Sequence, residues 1–244
     1  KYEKPDGLMH LKTDSEFMHG YTLGLLHGLG YEVGDDLTPE QMEVALSLVK
    51  SGGHIFAVGD PYQSIYGYGG AMGSDALSIL RQSNCELFEL KNNYRSTQKI
   101  CDRLNTIYPR GTKSAGTNEN GLTSILCRSN DAVASVSDIL KSQRIGHSIR
   151  VSGKREHRFF GSRGIRISTI HKAKGLEAEH VILLDDFPTP SELEARRLEH
   201  KITAVEYDQE FHLLYVSVTR AILTLKLAPQ LFDAFERVML EKVK

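Results

Sequence analysis

The stretch GIRISTIHKAKGLEAEHVILLDD, residues 164–186, contains two apolar runs separated by a short polar loop. The runs predict β-strands over Arg166–Ser168 and His180–Leu184. A basic loop with a glycine suits contact with phosphate groups, and a carboxylate can accept hydrogen bonds from ribose hydroxyls. For the residues KAKG taken alone, a solvated basic loop is the better interpretation. The polar residues between and beside the two strands are His171, Lys172, Lys174, Gly175 and Glu177.

Apolar runs of this kind alternate along the chain with segments of helical periodicity, which is typical of an α/β fold with a parallel sheet. Polar and charge-rich composition predicts a loop at residues 110–121, and a loop leading to an exposed helix at residues 188–200. Further strands are predicted at His54–Val58, Glu86–Glu89, Thr123–Cys127, Ser148–Val151 and Leu223–Leu227. Helices are predicted at Pro39–Lys50, Ala71–Arg81, Thr97–Thr106, Asp131–Lys141, Tyr207–Thr219 and Pro229–Val243.

A second polar stretch follows a strand in HIFAVGDPYQSIYGYGGA, residues 54–71. The amide of Gln63 could hydrogen-bond a terminal phosphate or a water molecule, because it both donates and accepts. Tyr66 and Tyr68 lie among glycines, so their rings could offer stacking faces to the bases of a nucleic acid. Residue types alone equally allow a glycine-rich turn with packed tyrosines.

Two further stretches place an arginine at the end of a predicted element. In LKNNYRST, residues 90–97, Arg95 lies where a strand gives way to a helix, and a forked guanidinium there could reach a phosphate across a cleft. A surface arginine at a helix start is the ordinary alternative. In FHLLYVSVTRA, residues 211–221, Arg220 ends an amphipathic helix, where a cation that caps the helix is an equally good interpretation.

Taken together, these four stretches resemble motifs III, IV, V and VI of the UvrD/Rep-like superfamily 1 DNA helicases. The resemblance implies a P-loop NTPase-like fold of RecA-like domains, ATP and Mg²⁺ as cofactors of the complete helicase, and single-stranded DNA as a partner. It implies that Gln63, Arg95 and Arg220 act in catalysis, the two arginines as arginine fingers. Nucleotide contacts are implied for Tyr94, Gly175 and Glu177, and DNA contacts for Tyr66, Tyr68, Thr169, His171 and Lys172.

The sequence also departs from the family pattern. Gly69 replaces an arginine that is frequent in motif III. No GxxxxGK[ST] loop occurs in the 244 residues. In YEVGDDLTPEQ, residues 31–41, alignment with motif II places Glu32 at the Mg²⁺-binding aspartate and Val33 at the catalytic glutamate. Asp35 and Asp36 are better interpreted as a solvated turn than as a metal site.

We therefore expect a partial first RecA-like domain at residues 1–82 and a second one at residues 83–244. The main hypothesis is the C-terminal part of an ATP-dependent helicase that translocates 3′→5′ on single-stranded DNA, with a place in DNA repair, and that needs an N-terminal half elsewhere. By itself this chain is predicted to bind ATP and Mg²⁺ weakly and not to hydrolyse ATP. The alternative is a degenerate, non-catalytic module that binds single-stranded DNA.

Composition restricts the class of protein further. The formal net charge of −1 argues against a purely electrostatic nucleic-acid binder, although a locally basic groove is compatible with it. The three cysteines form no CxxC pair, so neither a zinc site nor a disulfide framework is indicated. Apolar runs are too short to cross a bilayer, so a DNA-associated, cytoplasmic location is expected.

Overall fold

A computed structural model of the chain describes residues 9–10, 22–27, 29–34, 37–50, 54–57, 60–66, 72, 75–82, 89–108, 111, 113–115, 121–152, 155–160 and 164–242. The chain forms two compact units, Lys1–Phe88 and Glu89–Lys244. The sequence places this division near residue 82. The identity of the two units as one partial and one complete RecA-like domain stays a prediction.

The first unit contains a four-stranded sheet in the order β1-β3-β2-β4. β1 pairs in parallel with β3, whereas β2 pairs antiparallel with both β3 and β4. Leu37, Met42 and Leu80 form a small buried cluster, against which Leu46, Met72 and Ile79 pack. The elements are β1 (Met9–His10), β2 (Thr22–His27), β3 (Leu29–Gly34), α1 (Pro39–Lys50), β4 (His54–Ala57), a 3₁₀ turn (Pro61–Gln63) and α2 (Asp75–Gln82).

The second unit confirms the predicted α/β class. Its six-stranded sheet has the order β12-β11-β7-β10-β8-β9, and every neighbouring pair is parallel except β8 with β9. Its strands are β5 (Asn92–Asn93), β6 (Lys113–Ser114), β7 (Thr123–Cys127), β8 (His147–Ser152), β9 (Arg155–Phe159), β10 (Ile165–Thr169), β11 (Ala178–Leu183) and β12 (Ala221–Lys226). Its helices are α3 (Gln98–Ile107), α4 (Asn130–Ser142), α5 (Ile170–Ala173), α6 (Pro190–Leu198), α7 (Ala204–Val218) and α8 (Pro229–Lys242).

Predicted and observed elements agree closely where an apolar run is long. α1 and β7 have the predicted bounds, and the other predicted elements among the described residues shift by up to four residues at an end. The sequence misses β1, β2, β3, the short β5 and β6, the edge strand β9 and the single turn α5. The predicted strand Glu86–Glu89 lies outside the described residues except for Glu89.

The two faces of the large sheet differ in composition. On one face, the strand residues Ile125, Cys127, Ile149 and Ile167 pack against α4, where Val133 is buried. Burial raises the pKa of the Cys127 thiol to about 12, which makes it an inert apolar contact rather than a nucleophile. The opposite face is apolar on β7 and β11, where Leu126, Val181 and Leu183 are buried. On β8, β9 and β10 that same face carries arginines.

Aromatic side chains hold the helices of the second unit together. Phe211 of α7 packs edge-on against Phe235 of α8, with ring centroids 4.9 Å apart, and Phe187 packs against the same Phe235 at 5.9 Å. The hydroxyl of Tyr108 donates to the Phe211 carbonyl at 2.6 Å. This cluster fixes α7, whose C-terminal end leads into β12.

No helix in the described part of the chain is long and apolar enough to cross a membrane.

Leu214→Ala should destabilise the fold, because Leu214 is fully buried on α7. Removing a buried leucine side chain leaves a cavity and costs about 2–5 kcal/mol. Val205→Ala on the same helix is the control, since Val205 is 50% exposed and its truncation should cost below about 0.5 kcal/mol. Urea denaturation followed by circular dichroism measures both, and equal losses in the two variants would contradict the assigned packing of α7.

Candidate functional site

The parallel strands bring the predicted site residues to two opposite edges of the large sheet. Glu177 directly precedes β11, and Arg220 directly precedes β12, so both lie at the edge where these strands begin. Thr169 ends β10, and His171 and Lys172 follow it in α5, at the edge where the strands end. We call these the amino edge and the carboxyl edge.

At the amino edge, the segment around Arg95 is fixed by a short hydrogen-bonded turn. The side-chain oxygen of Asn93 accepts from the backbone N–H groups of Arg95 at 2.8 Å and Ser96 at 2.9 Å. The buried hydroxyl of Ser96 donates to the carbonyl of Ala221 at 2.7 Å, and the Thr97 N–H donates to the Ile222 carbonyl at 2.9 Å. These bonds attach the turn to the start of β12.

Arg95, which is expected to act as an arginine finger, and Glu177, which is expected to contact the nucleotide, form an ion pair. Arg95 Nε donates to Glu177 Oε2 at 2.5 Å, and Arg95 Nη1 donates to the Thr219 carbonyl at 3.3 Å. Their side chains are 34% and 37% exposed, so solvent reaches both charges. Tyr94, the residue before Arg95, is 64% exposed, so its ring is accessible to a ligand.

An open cleft of about 580 Å³ lies at this edge. Its volume falls within the range of small-molecule sites. Gly175 has a φ of +78°, a conformation that favours glycine and lets the backbone turn sharply into the cleft wall. The lining residues are Arg95, Leu122, Arg166, Gly175, Leu176 and Glu177.

Arg220 lies at the same edge but is turned into the protein. It is 2% exposed, and its guanidinium donates to the Val216 carbonyl at 3.0 Å, to the Leu176 carbonyl at 3.1 Å and to the Thr219 hydroxyl at 3.0 Å. These are contacts of a cation that caps α7 and ties its end to the cleft wall. The role of Arg220 as an arginine finger stays a prediction.

At the carboxyl edge, Thr169 caps α5. Its hydroxyl accepts from the Lys172 N–H at 3.4 Å, and the side chain is 6% exposed. His171 and Lys172 are half-buried, and Lys172 Nζ donates to Asn130 Oδ1 at 3.3 Å. Asn130 begins α4, so the loops that follow β7 and β10 contact each other at this edge.

A polar network that the sequence analysis missed supports this edge. Asp186, after β11, accepts hydrogen bonds from the N–H groups of Arg128 and Ser129 at 2.7 and 2.9 Å, and from the Ser129 hydroxyl at 3.1 Å. The guanidinium of Arg128 forms a forked ion pair with Glu210 of α7, which raises the pKa of Arg128. Neither Arg128 nor Asp186 belongs to an obvious local pattern, because their partners are 57–82 residues away in sequence.

In the first unit, Gln63 is 4% exposed and donates through Nε2 to Asp60 Oδ2 at 3.1 Å. Asp60 Oδ1 also accepts from the Tyr62 N–H at 3.2 Å, so this carboxylate organises the turn. Tyr66 is half-buried. The predictions for Tyr68, Gly69, Asp35 and Asp36 lie outside the described residues, as do the side chains of Glu32 and Val33, whose backbone belongs to β3.

Comparison with known proteins confirms the predicted resemblance. Residues 148–228 match the family model described as the UvrD-like helicase C-terminal domain. Over 86% of its length the chain is 26% identical to a protein described as an ATP-dependent DNA helicase of Acanthamoeba polyphaga mimivirus, and it covers 35% of that protein. The matched domain runs from β8 to β12 and so includes Thr169, His171, Lys172, Gly175, Glu177 and Arg220.

Two other similarities are more restricted. A 30-residue segment, 12% of the chain, is 83% identical to a tRNA (guanine-N(7)-)-methyltransferase of Christiangramia forsetii and covers 13% of it. The crystal structure of the C-terminal domain of a possible DNA helicase from Lactobacillus plantarum is 21% identical, with a TM-score of 0.37 over 60% of this chain and 96% of that chain. The chain thus spans well under half the length of either curated relative, 13% and 35%.

Asp186→Ala should loosen the carboxyl edge, because it removes the acceptor of two backbone N–H groups and a hydroxyl. Leaving such donors without an acceptor costs about 1–3 kcal/mol. Asp185→Ala is the matched control, since Asp185 is the exposed neighbour with the same charge. Chemical denaturation measures the difference in free energy of unfolding, and indistinguishable variants would contradict the importance of the network.

Proposed function

We propose that this chain is the part of an ATP-dependent DNA helicase that binds nucleotide at the amino edge of its sheet and single-stranded DNA at the carboxyl edge. The observation that carries the proposal is the Arg95–Glu177 pair in an open cleft beside an exposed tyrosine, within a chain whose residues 148–228 match a helicase domain. Translocation in the 3′→5′ direction is part of the proposal and is supported by the family resemblance.

At the amino edge, Arg95 is suited to exchange its contact with Glu177 for a contact with a nucleotide phosphate. A half-exposed ion pair contributes little, about 0–1 kcal/mol, so separating it is inexpensive. A terminal phosphate offers Arg95 several charged oxygens in a geometry that a guanidinium matches with two hydrogen bonds. Glu177, once released, can accept from ribose hydroxyls, and the exposed ring of Tyr94 can stack on the base.

Gln63 and Arg220 are the further residues that this proposal assigns to catalysis. Gln63 would orient the attacking water or the terminal phosphate, and Arg220 would stabilise charge on the transferring phosphoryl group. Arg220 must exchange its carbonyl contacts for phosphate oxygens to do so. Mg²⁺ bound with ATP neutralises phosphate charge, but the described residues contain no cluster of three His, Cys, Asp or Glu side chains placed to hold a metal, so we assign it no ligand in this part of the chain.

At the carboxyl edge, Thr169, His171 and Lys172 would contact the DNA backbone. Lys172 supplies a positive charge, while the capped turn α5 holds the loop in place. In the first unit, Tyr66 and Tyr68 would stack on bases. The loop that carries the DNA contacts continues through Gly175 to Glu177, so one segment of nine residues, 169–177, reaches from the DNA edge to the nucleotide edge. That continuity offers a direct route for coupling.

Lys172→Ala should weaken binding of a labelled single-stranded oligonucleotide roughly threefold. It should also reduce the slope of log K against log salt by about 0.7, because one phosphate contact is lost. Fluorescence anisotropy across a salt series measures both quantities. Lys201→Ala is the control, since Lys201 is an exposed lysine that pairs with Glu199 and has no proposed DNA contact. Absence of binding by the folded wild-type chain at low salt would contradict the proposal.

Arg95→Ala should lower the affinity for a fluorescent ATP analogue about tenfold or more, since hydrogen bonds to charged groups contribute about 1.5–3 kcal/mol. Arg103→Ala is the control, because Arg103 is another ion-paired arginine of the same unit that lies outside the cleft. A titration followed by anisotropy gives both dissociation constants. Equal affinity in the wild type and Arg95→Ala would remove the nucleotide cleft from the proposal while leaving the DNA edge intact.

A further inference from the structure

Thr219, which directly follows α7, bonds to both arginines that the proposed function places on the nucleotide. Its backbone carbonyl accepts from Arg95 Nη1 at 3.3 Å, and its hydroxyl accepts from Arg220 Nη2 at 3.0 Å. Thr219 itself is 7% exposed, so both bonds are largely shielded from water. The nucleotide contacts proposed above give this residue no part, although it lies between the two guanidinium groups.

The hydrogen bonds around the Thr219 hydroxyl have a fixed direction. A threonine hydroxyl has one hydrogen to donate, and Thr219 Oγ1 donates it to the Val216 carbonyl at 2.8 Å. The bond from Arg220 is therefore accepted by an oxygen lone pair. Arg220 Nε donates to the same Val216 carbonyl at 3.0 Å. The guanidinium, the hydroxyl and the carbonyl thus form a closed ring of hydrogen bonds, which fixes the orientation of the Arg220 side chain.

This ring lies directly behind the wall of the nucleotide cleft. Arg220 Nη1 donates to the Leu176 carbonyl at 3.1 Å, and Leu176 lines the cleft together with Gly175 and Glu177. From the cleft side, the same wall is held by the pair between Glu177 and Arg95. Loss of that pair therefore removes one of the bonds that keep the wall segment in place in front of Arg220.

The backbone beside Thr219 is anchored to neighbouring segments. The Arg220 carbonyl accepts from the Ala178 N–H at 3.0 Å, and the Ala221 carbonyl accepts from the Ser96 hydroxyl at 2.7 Å. Movement of the Arg220 guanidinium toward the cleft is therefore a rotation of its side chain, and its cost depends on the acceptors that it leaves. Among the acceptors described above, the Thr219 hydroxyl belongs to a side chain and can be removed by substitution.

We propose that Thr219 is a positioning residue, whose hydroxyl holds Arg220 behind the cleft wall until a nucleoside triphosphate draws the guanidinium out. This rests on the proposed function and adds a means of regulating the same site. The oxygens of a terminal phosphate are charged, so they are stronger acceptors for Arg95 and Arg220 than a carbonyl or a hydroxyl. The strength of the bond to the hydroxyl then determines how readily Arg220 leaves its buried position.

This role predicts that removal of the hydroxyl strengthens the binding of a triphosphate. A buried N–H group that has lost its acceptor is unfavourable, so the buried position of Arg220 is destabilised relative to a position on phosphate. A diphosphate lacks the terminal phosphate, so its affinity should not change. If Thr219 only supported the fold, loss of the hydroxyl would instead weaken the binding of both nucleotides.

The test measures binding of fluorescent ATP and ADP analogues to the full chain by anisotropy. Thr219→Val removes the hydroxyl with little change in shape and should bind the ATP analogue about fivefold more tightly, with unchanged affinity for the ADP analogue. Thr219→Ser keeps the hydroxyl and should bind both analogues as the wild type does. Adding Thr219→Val to Arg220→Ala should give no gain over Arg220→Ala alone, because no guanidinium remains to be released.

Thr106→Val is the matched control. Thr106 Oγ1 donates to the Arg103 carbonyl at 2.8 Å, three residues earlier in the chain, as Thr219 Oγ1 does to Val216. Thr106 is exposed and does not line the cleft, so this variant should bind both analogues as the wild type does. Thermal melts of each variant check the fold, and Thr219→Ala gives the same comparison if Thr219→Val does not fold.

The inference is overturned if Thr219→Val binds the ATP analogue as the wild type does, or if its affinities for the two analogues change equally. It is also overturned if Thr219→Ser behaves as Thr219→Val does, because the hydroxyl is then not the cause. If Arg95→Ala weakens binding of the ATP analogue in these cases, the proposed function stands without the role of Thr219. Failure of the wild-type chain to bind either analogue overturns both the inference and the proposed nucleotide site.

Discussion

Parallel pairing of β7, β10 and β11 is the constraint on which the rest of the second unit depends. Because the three strands run in one direction, Ile167 lies beside Ile125, and Leu183 lies beside Leu126. Each face of the sheet therefore has apolar side chains next to one another on neighbouring strands. The same pairing makes all three strands begin at one edge and end at the other. Arg95 and Glu177, which are far apart in sequence, meet at the amino edge because the Arg95 turn is bonded to the start of β12, and β12 pairs with β11.

Two continuous segments connect the edges, and their anchors differ. The segment 169–177 is held by short local bonds, including the cap of α5. Helix α7 is held more firmly, because Glu210 pairs with Arg128 near the carboxyl edge while Arg220, ten residues later, bonds the Leu176 carbonyl at the amino edge. Ten helical residues extend about 15 Å, which matches a strand of five residues. Helix α7 is therefore the firmer of the two connections between the edges.

The sequence predicts those parts of the fold in which local composition and packing agree. The apolar run of β7 and the capped helix α1 could each be predicted from the residues of that segment alone. β9 was not, because REHRF has no apolar alternation and its pairing with β8 decides its structure. Motif residues located Arg95 and Glu177, but their ion pair could not be predicted from spacing, since 82 residues separate them. Arg220 shows the same limit: its type allowed a capping cation, and its contacts in the structure are of that kind.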